Sequence, residues 1–306
     1  MDQIDVVWLS YHDNVLARGY WDQGILEDIF KQGNFKHYEG FVQDGEPENK
    51  NAYSHGDGAI VIVNGRTHET NADEINRDIA RLQWVLFIET GDEESVFPWR
   101  DIKHPLMKVW LQLPRMTEHD DTHFKLPNGY RPDTHDELAK IEPSERNIDY
   151  LFIGQVNHER RQQCFDVATQ FKTVYPTAIV EKTEGFGSDQ VKYPDYLKLL
   201  TKSKIALCPS GVESADNFRL YEALEAGCLP VVDAFSTNFK TAGFWKYLFG
   251  SDVPFPIVDY WDAFPNMIPH LLSDFPANAN RCFAWWQGYK RKIKWQLLDD
   301  VKELAQ

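Results

Sequence analysis

The residues between Ser210 and Glu222 have the types and spacing needed to bind an anionic ligand that also carries hydroxyl groups. Arg219 falls in the first turn of a predicted helix, and Glu222 follows one turn later on roughly the same face. A guanidinium group suits a diphosphate, and a carboxylate one turn along suits the diol of a ribose. The alternative is an ion pair between Arg219 and Glu222, which the same spacing allows.

These residues lie in a segment whose pattern predicts a β-α-β unit. Ile205–Cys208 is a short apolar run, residues 210–216 have loop composition, and residues 217–226 have helical spacing. Gly227 then ends the helix, and Leu229–Val232 is an apolar, β-branched run. This order predicts a right-handed β-α-β unit on a parallel sheet. The loop that enters the helix is where such sheets bind phosphate, because free N–H groups and the helix dipole favour an anion.

A second candidate phosphate-binding segment comes earlier in the same half of the chain. Gly154 directly follows the predicted strand Tyr150–Ile153, and a glycine there lets a ligand approach the backbone closely. Arg160 and Arg161 come at the start of the next predicted helix, where they could neutralise a diphosphate. The alternative is that both arginines are solvated charges on the helix surface.

The sequences CPSG (208–211) and NFRLYEALEAGCLPVV (217–232) resemble the nucleotide-sugar-binding segment of exostosin-like, GT47-like glycosyltransferases. The N-terminal half is similar only loosely, through WVLFIETGDEES and LPNGY. The resemblance implies an α/β fold of the GT-B type, in which two Rossmann-like domains face each other across a cleft. It also implies a hexosyl- or pentosyltransferase that moves a sugar from a nucleotide-sugar donor to an acceptor hydroxyl. A non-catalytic carbohydrate- or nucleotide-binding protein is the alternative.

The resemblance also implies roles for particular residues of the C-terminal half. It assigns the ribose to Glu222, and the nucleotide base to the loop after the second strand of that domain, where Thr183 and Phe186 are candidates. The full set of candidate donor-binding residues is Gly154, Arg160, Arg161, Thr183, Ser210, Gly211, Asn217, Phe218, Arg219 and Glu222.

The sequence favours an inverting mechanism. Many retaining GT-B enzymes have a Glu eight residues before the ribose-binding Glu, and this position is Ser214 here. Glu213 is one position away, which leaves a retaining enzyme as an alternative. An inverting enzyme needs a base that removes the proton of the acceptor hydroxyl. We expect it at a strand end of the first domain, where α/β folds place ligands. The candidates are Asp92 and Glu93, in the acidic loop 89–94, and Asp13, which follows His12.

Composition and charge favour a protein that handles sugars over one that binds nucleic acid. The chain has 306 residues, room for two domains, and contains 10 Trp. Residues 1–148 hold 15 Lys+Arg and 28 Asp+Glu (net −13), whereas residues 149–306 hold 17 and 19 (net −2). Such an acidic half argues against a broad nucleic-acid or membrane surface, although acidity can also simply serve solubility. The expected partners are therefore a nucleotide-sugar donor and a glycan or other hydroxyl-bearing acceptor.

No metal or other cofactor is expected from the sequence. It contains no Asp-x-Asp triplet of the kind that holds a divalent cation against a diphosphate. His119–His123 could ligate a metal only as a helix, and the neighbouring Pro114 and Pro127 favour a loop. The four Cys are far apart, which predicts neither a zinc site nor a disulfide framework.

Strands and helices alternate along the whole chain, which predicts two α/β domains. We expect an acceptor-side domain at residues 1–147 and a nucleotide-sugar-binding domain at residues 148–283. A C-terminal helix at residues 284–306 is expected to pack back on the first domain. The N-terminus lacks a signal-peptide pattern and no long apolar run is present, so the sequence predicts a soluble, cytoplasmic protein.

Overall fold

The computed structural model describes residues 3–9, 23–41, 51–54, 57–65, 72–92, 96–112, 123–185, 190–240 and 242–306. The chain divides into two compact units, residues 1–132 with 290–306 and residues 133–289. Each unit contains one sheet, and every described strand pair in both sheets is parallel. The chain is therefore α/β with two Rossmann-like sheets, as predicted. The domain limits expected from the sequence stay a prediction.

The first unit is built on six described strands. These are β1 (Ile4–Leu9), β2 (Phe35–Glu39), β3 (Ala59–Asn64), β4 (Val85–Thr90), β5 (Met107–Gln112) and β6 (His123–Leu126). They pair in the spatial order β2-β1-β3-β4-β5-β6. The described helices are α1 (Gly24–Lys31) and α2 (Ala72–Ile79), and a 3-10 turn covers Trp99–Asp101. Strands β3 and β4 are buried at every position, as central strands of a parallel sheet are when helices cover both faces.

Strands β2 and β6 were not predicted from the sequence. Strand β2 reads FKHYE, is partly exposed, and pairs only with β1 among the described strands, so it lacks the apolar run of a central strand. Strand β6 is only four residues long and immediately precedes the LPNGY turn signal. Both strands are at the ends of the sheet order, where burial constrains the sequence least.

The second unit is built on five described strands. These are β7 (Ile148–Gln155), β8 (Ile179–Thr183), β9 (Ser203–Cys208), β10 (Leu229–Asp233) and β11 (Ile257–Val258), in the order β11-β10-β9-β7-β8. Its helices are α3 (Thr134–Leu138), α4 (Glu159–Phe171), α5 (Tyr193–Lys202), α6 (Phe218–Glu225), α7 (Phe244–Phe249), α8 (Phe264–Ser273) and the first half of α9 (Phe275–Leu304), with a 3-10 turn at Trp261–Ala263. The chain order reverses between β7 and β9, and such a switch point opens a crevice at the carboxyl ends of the strands.

Helix α9 contributes to both units through buried polar contacts. In the second unit, the Trp286 indole N–H donates to Glu225 Oε1 at 2.6 Å, and His135 Nε2 is 2.8 Å from Glu225 Oε2. In the first unit, Asp300 accepts the indole N–H of Trp110 at 2.8 Å. Among the helices that the structure describes, neither α9 nor any other combines the length and apolarity that a membrane crossing requires.

The Trp286–Glu225 bond yields a stability prediction. Trp286→Phe keeps an aromatic ring at a fully buried position but removes the N–H group that donates to Oε1 of the buried Glu225 carboxylate. We expect the free energy of unfolding of the second unit to fall by about 1–3 kcal/mol in urea titrations. Trp295→Phe, on the same helix but 62% exposed, is the matched control and should stay within about 0.5 kcal/mol of the parent. Equal stability of the two variants would contradict the prediction.

Candidate functional site

The candidate site lies at the carboxyl edge of the second sheet, around the switch point between β7 and β9. Gly154 is the penultimate residue of β7, Ser210 follows β9, and Asp233 is the last residue of β10. Because the strands are parallel, all three positions lie on one edge of the sheet. The expectation that Gly154 follows its strand is wrong, because β7 runs two residues beyond Ile153 and so includes Gly154.

A buried ion pair organises this edge. The Arg160 side chain at the start of α4 pairs with Asp233 Oδ1, and the two side chains are only 3% and 0% exposed. The second carboxylate oxygen of Asp233 accepts the backbone N–H of Ser210 at 2.7 Å. Burial raises the pKa of Asp233, while the Ser210 amide and Arg160 act in the opposite direction. Arg160 therefore holds the loop after β9 in place through Asp233.

Two further arginines are fixed by backbone carbonyl groups at the same edge. Arg161 Nε donates to the carbonyl oxygen of Ser210 at 3.1 Å, and Arg219 Nε donates to that of Ile153 at 2.9 Å. A Cβ atom on Gly154 would lie 1.8 Å from Arg219 Nη2, so the missing side chain makes room for this guanidinium group. Both arginines are partly exposed, which leaves them accessible to a ligand.

The loop between β9 and α6 is shaped by its own polar side chains. Asn217 is the N-cap of α6: its Oδ1 accepts the N–H of Leu220 at 3.3 Å, and its amide donates to the carbonyl of Cys208 at 3.3 Å. Gly211 is buried within the loop, and Phe218 is the first residue of α6. Asn217 thus orders the helix N-terminus that was predicted to receive the phosphates.

Glu222 and Thr183, the proposed contacts of the nucleoside, belong to α6 and β8 of this unit. Glu222, on α6, is 4% exposed. Burial raises the pKa of Tyr196 on α5, and the charge of Glu222 adds to that rise. Thr183 is the last residue of β8 and pairs with Gln155, so the expectation that it lies in a loop is wrong. Phe186 lies outside the described residues.

The candidate catalytic residues belong to the first unit. Asp92 follows β4 and is buried, and its two carboxylate oxygens accept the backbone N–H groups of Val96 and Phe97, both at 2.9 Å. These bonds hold residues 96 and 97 of the loop against the carboxylate. Glu89 belongs to β4 itself and not to the loop that the sequence suggested. Glu93, Asp13 and His12 lie outside the described residues.

His158 is the main site residue that the sequence analysis missed. It is the N-cap of α4, and its Nδ1 is 2.9 Å from Thr237 Oγ1. Its Nε2 is buried and makes no hydrogen bond to the described residues, and the same holds for Ser210 Oγ and Arg160 Nε. Buried polar atoms are nearly always hydrogen-bonded, so three of them in one site point to a ligand. The only sign of this role in the sequence is that His158 lies just before the two arginines.

The environment of His158 keeps its imidazole neutral at pH 7. Burial lowers the pKa of His158 to about 4, and the positive charges of Arg161, Arg219 and Arg160 contribute to this shift. The Ser210 backbone acts against this lowering of the pKa, which places the Ser210 backbone close to the ring. Nε2 nevertheless makes no hydrogen bond to the described residues. The site therefore combines fixed cations with a neutral imidazole, an arrangement suited to a polyanion.

The described residues contain no group of three or more His, Cys, Asp or Glu side chains arranged to hold a metal ion. Of the His119–His123 segment only His123 is described, and its ring contacts that of Trp99 with the centroids 5.3 Å apart. All four Cys are free and buried. The expectation that the protein uses no metal or other cofactor remains a prediction.

The sheets are those of an α/β protein and the arginine-lined edge suits an anionic ligand, and comparison with known families shows the class of protein. The profile of the RXYLT1 C-terminal domain family matches residues 134–304. This is more than half of the chain, and the protein belongs to that family. The family points to a glycosyltransferase, in agreement with the class expected from the sequence. The matched region includes every candidate donor-binding residue.

The contact between Gly154 and Arg219 can be tested by adding one methyl group. In Gly154→Ala, the Cβ must displace the Arg219 guanidinium and break its bond to the Ile153 carbonyl. We expect the affinity for a nucleoside diphosphate to fall about tenfold, since a charged hydrogen bond is worth about 1.5–3 kcal/mol. The melting temperature should change little, because the displaced group is the end of a flexible side chain. Calorimetric titration measures the affinity.

The Arg219→Ala background is the control for this variant. If Gly154→Ala acts through Arg219, the double variant binds no more weakly than Arg219→Ala alone. Additive losses would show that the methyl group acts in another way.

The depressed pKa of His158 predicts how stability depends on pH. Between about pH 6.5 and about pH 4, the unfolded chain protonates this histidine while the folded protein keeps it neutral. The unfolded state then binds more protons, so the free energy of unfolding falls as the pH falls through this window. His158→Gln removes the effect, so its denaturation midpoints should fall less than the parent's between pH 7 and pH 4.5. The exposed His270→Gln is the control, and parallel curves for parent and His158→Gln would refute the assignment.

Proposed function

We propose that the protein is an inverting, metal-independent glycosyltransferase of GT-B architecture that uses a nucleoside-diphosphate sugar as donor. Family membership supports the enzyme class. The observation that carries the choice of donor is the carboxyl edge of the second sheet. There, Ser210 Oγ, His158 Nε2 and Arg160 Nε are buried without a partner among the described residues, beside two partly exposed arginines.

The diphosphate of the donor binds at this edge. Arg161 and Arg219 are held in fixed positions by backbone carbonyl groups, and a guanidinium group suits the oxygens of a phosphate. The N-terminus of α6 adds backbone N–H groups and a favourable dipole. Ser210 Oγ supplies one more hydrogen-bonding group within the same loop. These groups together replace the cation that other sugar transferases place against the diphosphate.

The nucleoside lies beside the diphosphate, with its ribose on Glu222. A buried carboxylate can accept hydrogen bonds from both hydroxyls of the ribose, which compensates for removing them from water. Thr183, at the carboxyl end of β8, and Phe186 are the proposed contacts of the base. These roles follow the exostosin-like pattern that the sequence resembles.

The reaction is a single displacement at the anomeric carbon. The acceptor oxygen forms the new bond from the face opposite the diphosphate, the bond from the anomeric carbon to the diphosphate oxygen breaks, and a base accepts the hydroxyl proton. The positive groups of the second sheet stabilise the charge that develops on the leaving diphosphate. Glu213, the acid of the retaining alternative, accepts a hydrogen bond from the side chain of Asn238, and the anomeric configuration of the product separates the two mechanisms.

The acceptor binds at the carboxyl edge of the first sheet. Buried polar residues lie near the strand ends there, among them Asn64, Glu89, Gln112 and Asn128. Because Asp92 is already engaged by two backbone N–H groups, Glu93 and Asp13 are the stronger of the three candidate bases. The acceptor is a glycan or another hydroxyl-bearing molecule.

Binding of nucleotides tests the proposal directly. The full chain is titrated with UDP, GDP, ADP, TDP and their hexosyl and pentosyl derivatives, with and without EDTA, while its melting temperature is recorded. A ligand that binds only the folded state raises this temperature. A rise with one base, unaffected by EDTA, is expected. A rise that EDTA abolishes would overturn metal independence, and no rise with any compound would overturn the donor assignment. Binding without any hydrolysis or transfer of the sugar would favour the non-catalytic alternative.

The role of Glu222 gives a sharper prediction. Glu222→Gln keeps the shape of this buried side chain but removes the charge that holds the ribose diol. We expect the affinity for the nucleoside diphosphate to fall about 10- to 100-fold, consistent with about 1.5–3 kcal/mol for a hydrogen bond to a charged group. The parent should discriminate against the 2′,3′-dideoxy analogue, and the variant should not. A variant that still prefers the ribose form by the parental factor would refute the role of Glu222.

A further inference from the structure

His158 has no task in the mechanism above, although it lies in the middle of the site. It precedes α4 by one residue, contacts Thr237 beyond the end of β10, and lies close to the Ser210 backbone beyond the end of β9. Three loops of the carboxyl edge therefore meet at one imidazole ring.

Helix capping does not explain the residue. His158 occupies the N-cap position of α4, but its side chain makes no capping hydrogen bond. Ser, Thr, Asp and Asn are the residues that stabilise this position through such a bond. The side chain of His158 is directed instead to Thr237, which lies 79 residues away in the sequence.

The hydrogen bond between His158 and Thr237 can run in either direction, because a hydroxyl group both donates and accepts. When the Thr237 hydroxyl donates to Nδ1, 2.9 Å away, the single proton of the neutral imidazole resides on Nε2. Nε2 then is a buried N–H donor without a partner among the described residues. Such a donor costs free energy unless a ligand accepts from it.

The charges around the ring identify the kind of acceptor. Arg160 and Arg161 come from the ring's own helix, and Arg219 comes from α6. The carboxylate of Asp233 is already paired with Arg160 and the Ser210 amide. The excess of positive charge attracts an anion and discourages a further proton on the ring, so an anionic oxygen is the fitting acceptor for the Nε2 proton.

We propose that His158 is a specificity-determining residue, whose Nε2–H donates to the terminal phosphate of a nucleoside diphosphate and thereby favours diphosphate-linked over monophosphate-linked donors. The inference rests on the proposed function of the same site. A nucleoside monophosphate has no second phosphate to accept this hydrogen bond and leaves the buried N–H unpaired. Sites with buried hydrogen-bonding groups reject ligands that lack the partner atoms.

Two substitutions separate this role from a structural one. Gln extends its amide N–H to about the position of Nε2, whereas Asn reaches only to about that of Nδ1. We measure the dissociation constants of UDP and UMP by calorimetry, or of the pair whose base the nucleotide screen identifies. His158→Asn should weaken diphosphate binding about tenfold and leave monophosphate binding unchanged, since one hydrogen bond to a charged group is lost. His158→Gln should restore most of the diphosphate affinity.

Thr237 provides an independent pair of variants. Thr237→Val removes the hydroxyl that donates to Nδ1 in this tautomer, and it should reduce diphosphate affinity less than His158→Asn does. Thr237→Ser keeps the hydroxyl and should bind like the parent. This pair leaves the imidazole in place, so it tests the proposal even if the His158 variants do not fold.

The outcomes distinguish this inference from the proposed function. If the parent binds no nucleoside diphosphate, both are overturned. If the parent binds one but His158→Asn and Thr237→Val bind it equally well, only the role of His158 is overturned. Equal weakening of diphosphate and monophosphate in His158→Asn and His158→Gln would likewise assign the histidine a structural role.

Discussion

The buried pairing of Arg160 with Asp233 is the interaction on which the geometry of the second unit's site depends. Removing two charges from water costs several kcal/mol each, and their attraction compensates for this only when the remaining hydrogen-bonding groups are also satisfied. Asp233 meets this condition by accepting the Ser210 amide with its second oxygen. The ion pair therefore fixes the geometry of the site more than it adds to the net stability of the fold. It ties α4, β10 and the loop after β9 together, and the positions of Arg161 and His158 follow from it.

The sequence predicted those parts of the site that depend on local pattern. The structure confirms the β-α-β unit of β9, α6 and β10, and its elements end within about two residues of the expected positions. Such ends can be predicted because they depend on the spacing of apolar residues and on residues that terminate a helix or strand. Gly227 ends α6 in the left-handed region, at a φ of 71°. Asp233 and Thr237, in contrast, meet α4 across more than 70 residues of chain. No local pattern reports such a contact, which is why His158 escaped notice.

The first unit shows why an acidic loop alone is weak evidence for a catalytic base. A carboxylate after a strand can be solvated, catalytic or a cap for nearby backbone N–H groups, and these roles share one sequence signature. Asp92 accepts the N–H groups of Val96 and Phe97 and so caps these backbone groups, while its part in catalysis stays a prediction. Gln112 serves a similar purpose, since it accepts the N–H of Gly91 and donates to the carbonyl of Asn128. Much of the polarity at this edge thus holds the loops in place.

In the proposed metal-independent transferase, the combination of a neutral histidine with fixed arginines has a physical rationale. Arg161 and Arg219 are positioned before any ligand arrives, so they stabilise the charge of a leaving diphosphate without reorganising. A third accessible cation would bind the diphosphate still more tightly and slow its release. A neutral N–H recognises the terminal phosphate through one directed hydrogen bond and adds no further charge. Selectivity for a diphosphate and release of the product are then compatible in one site.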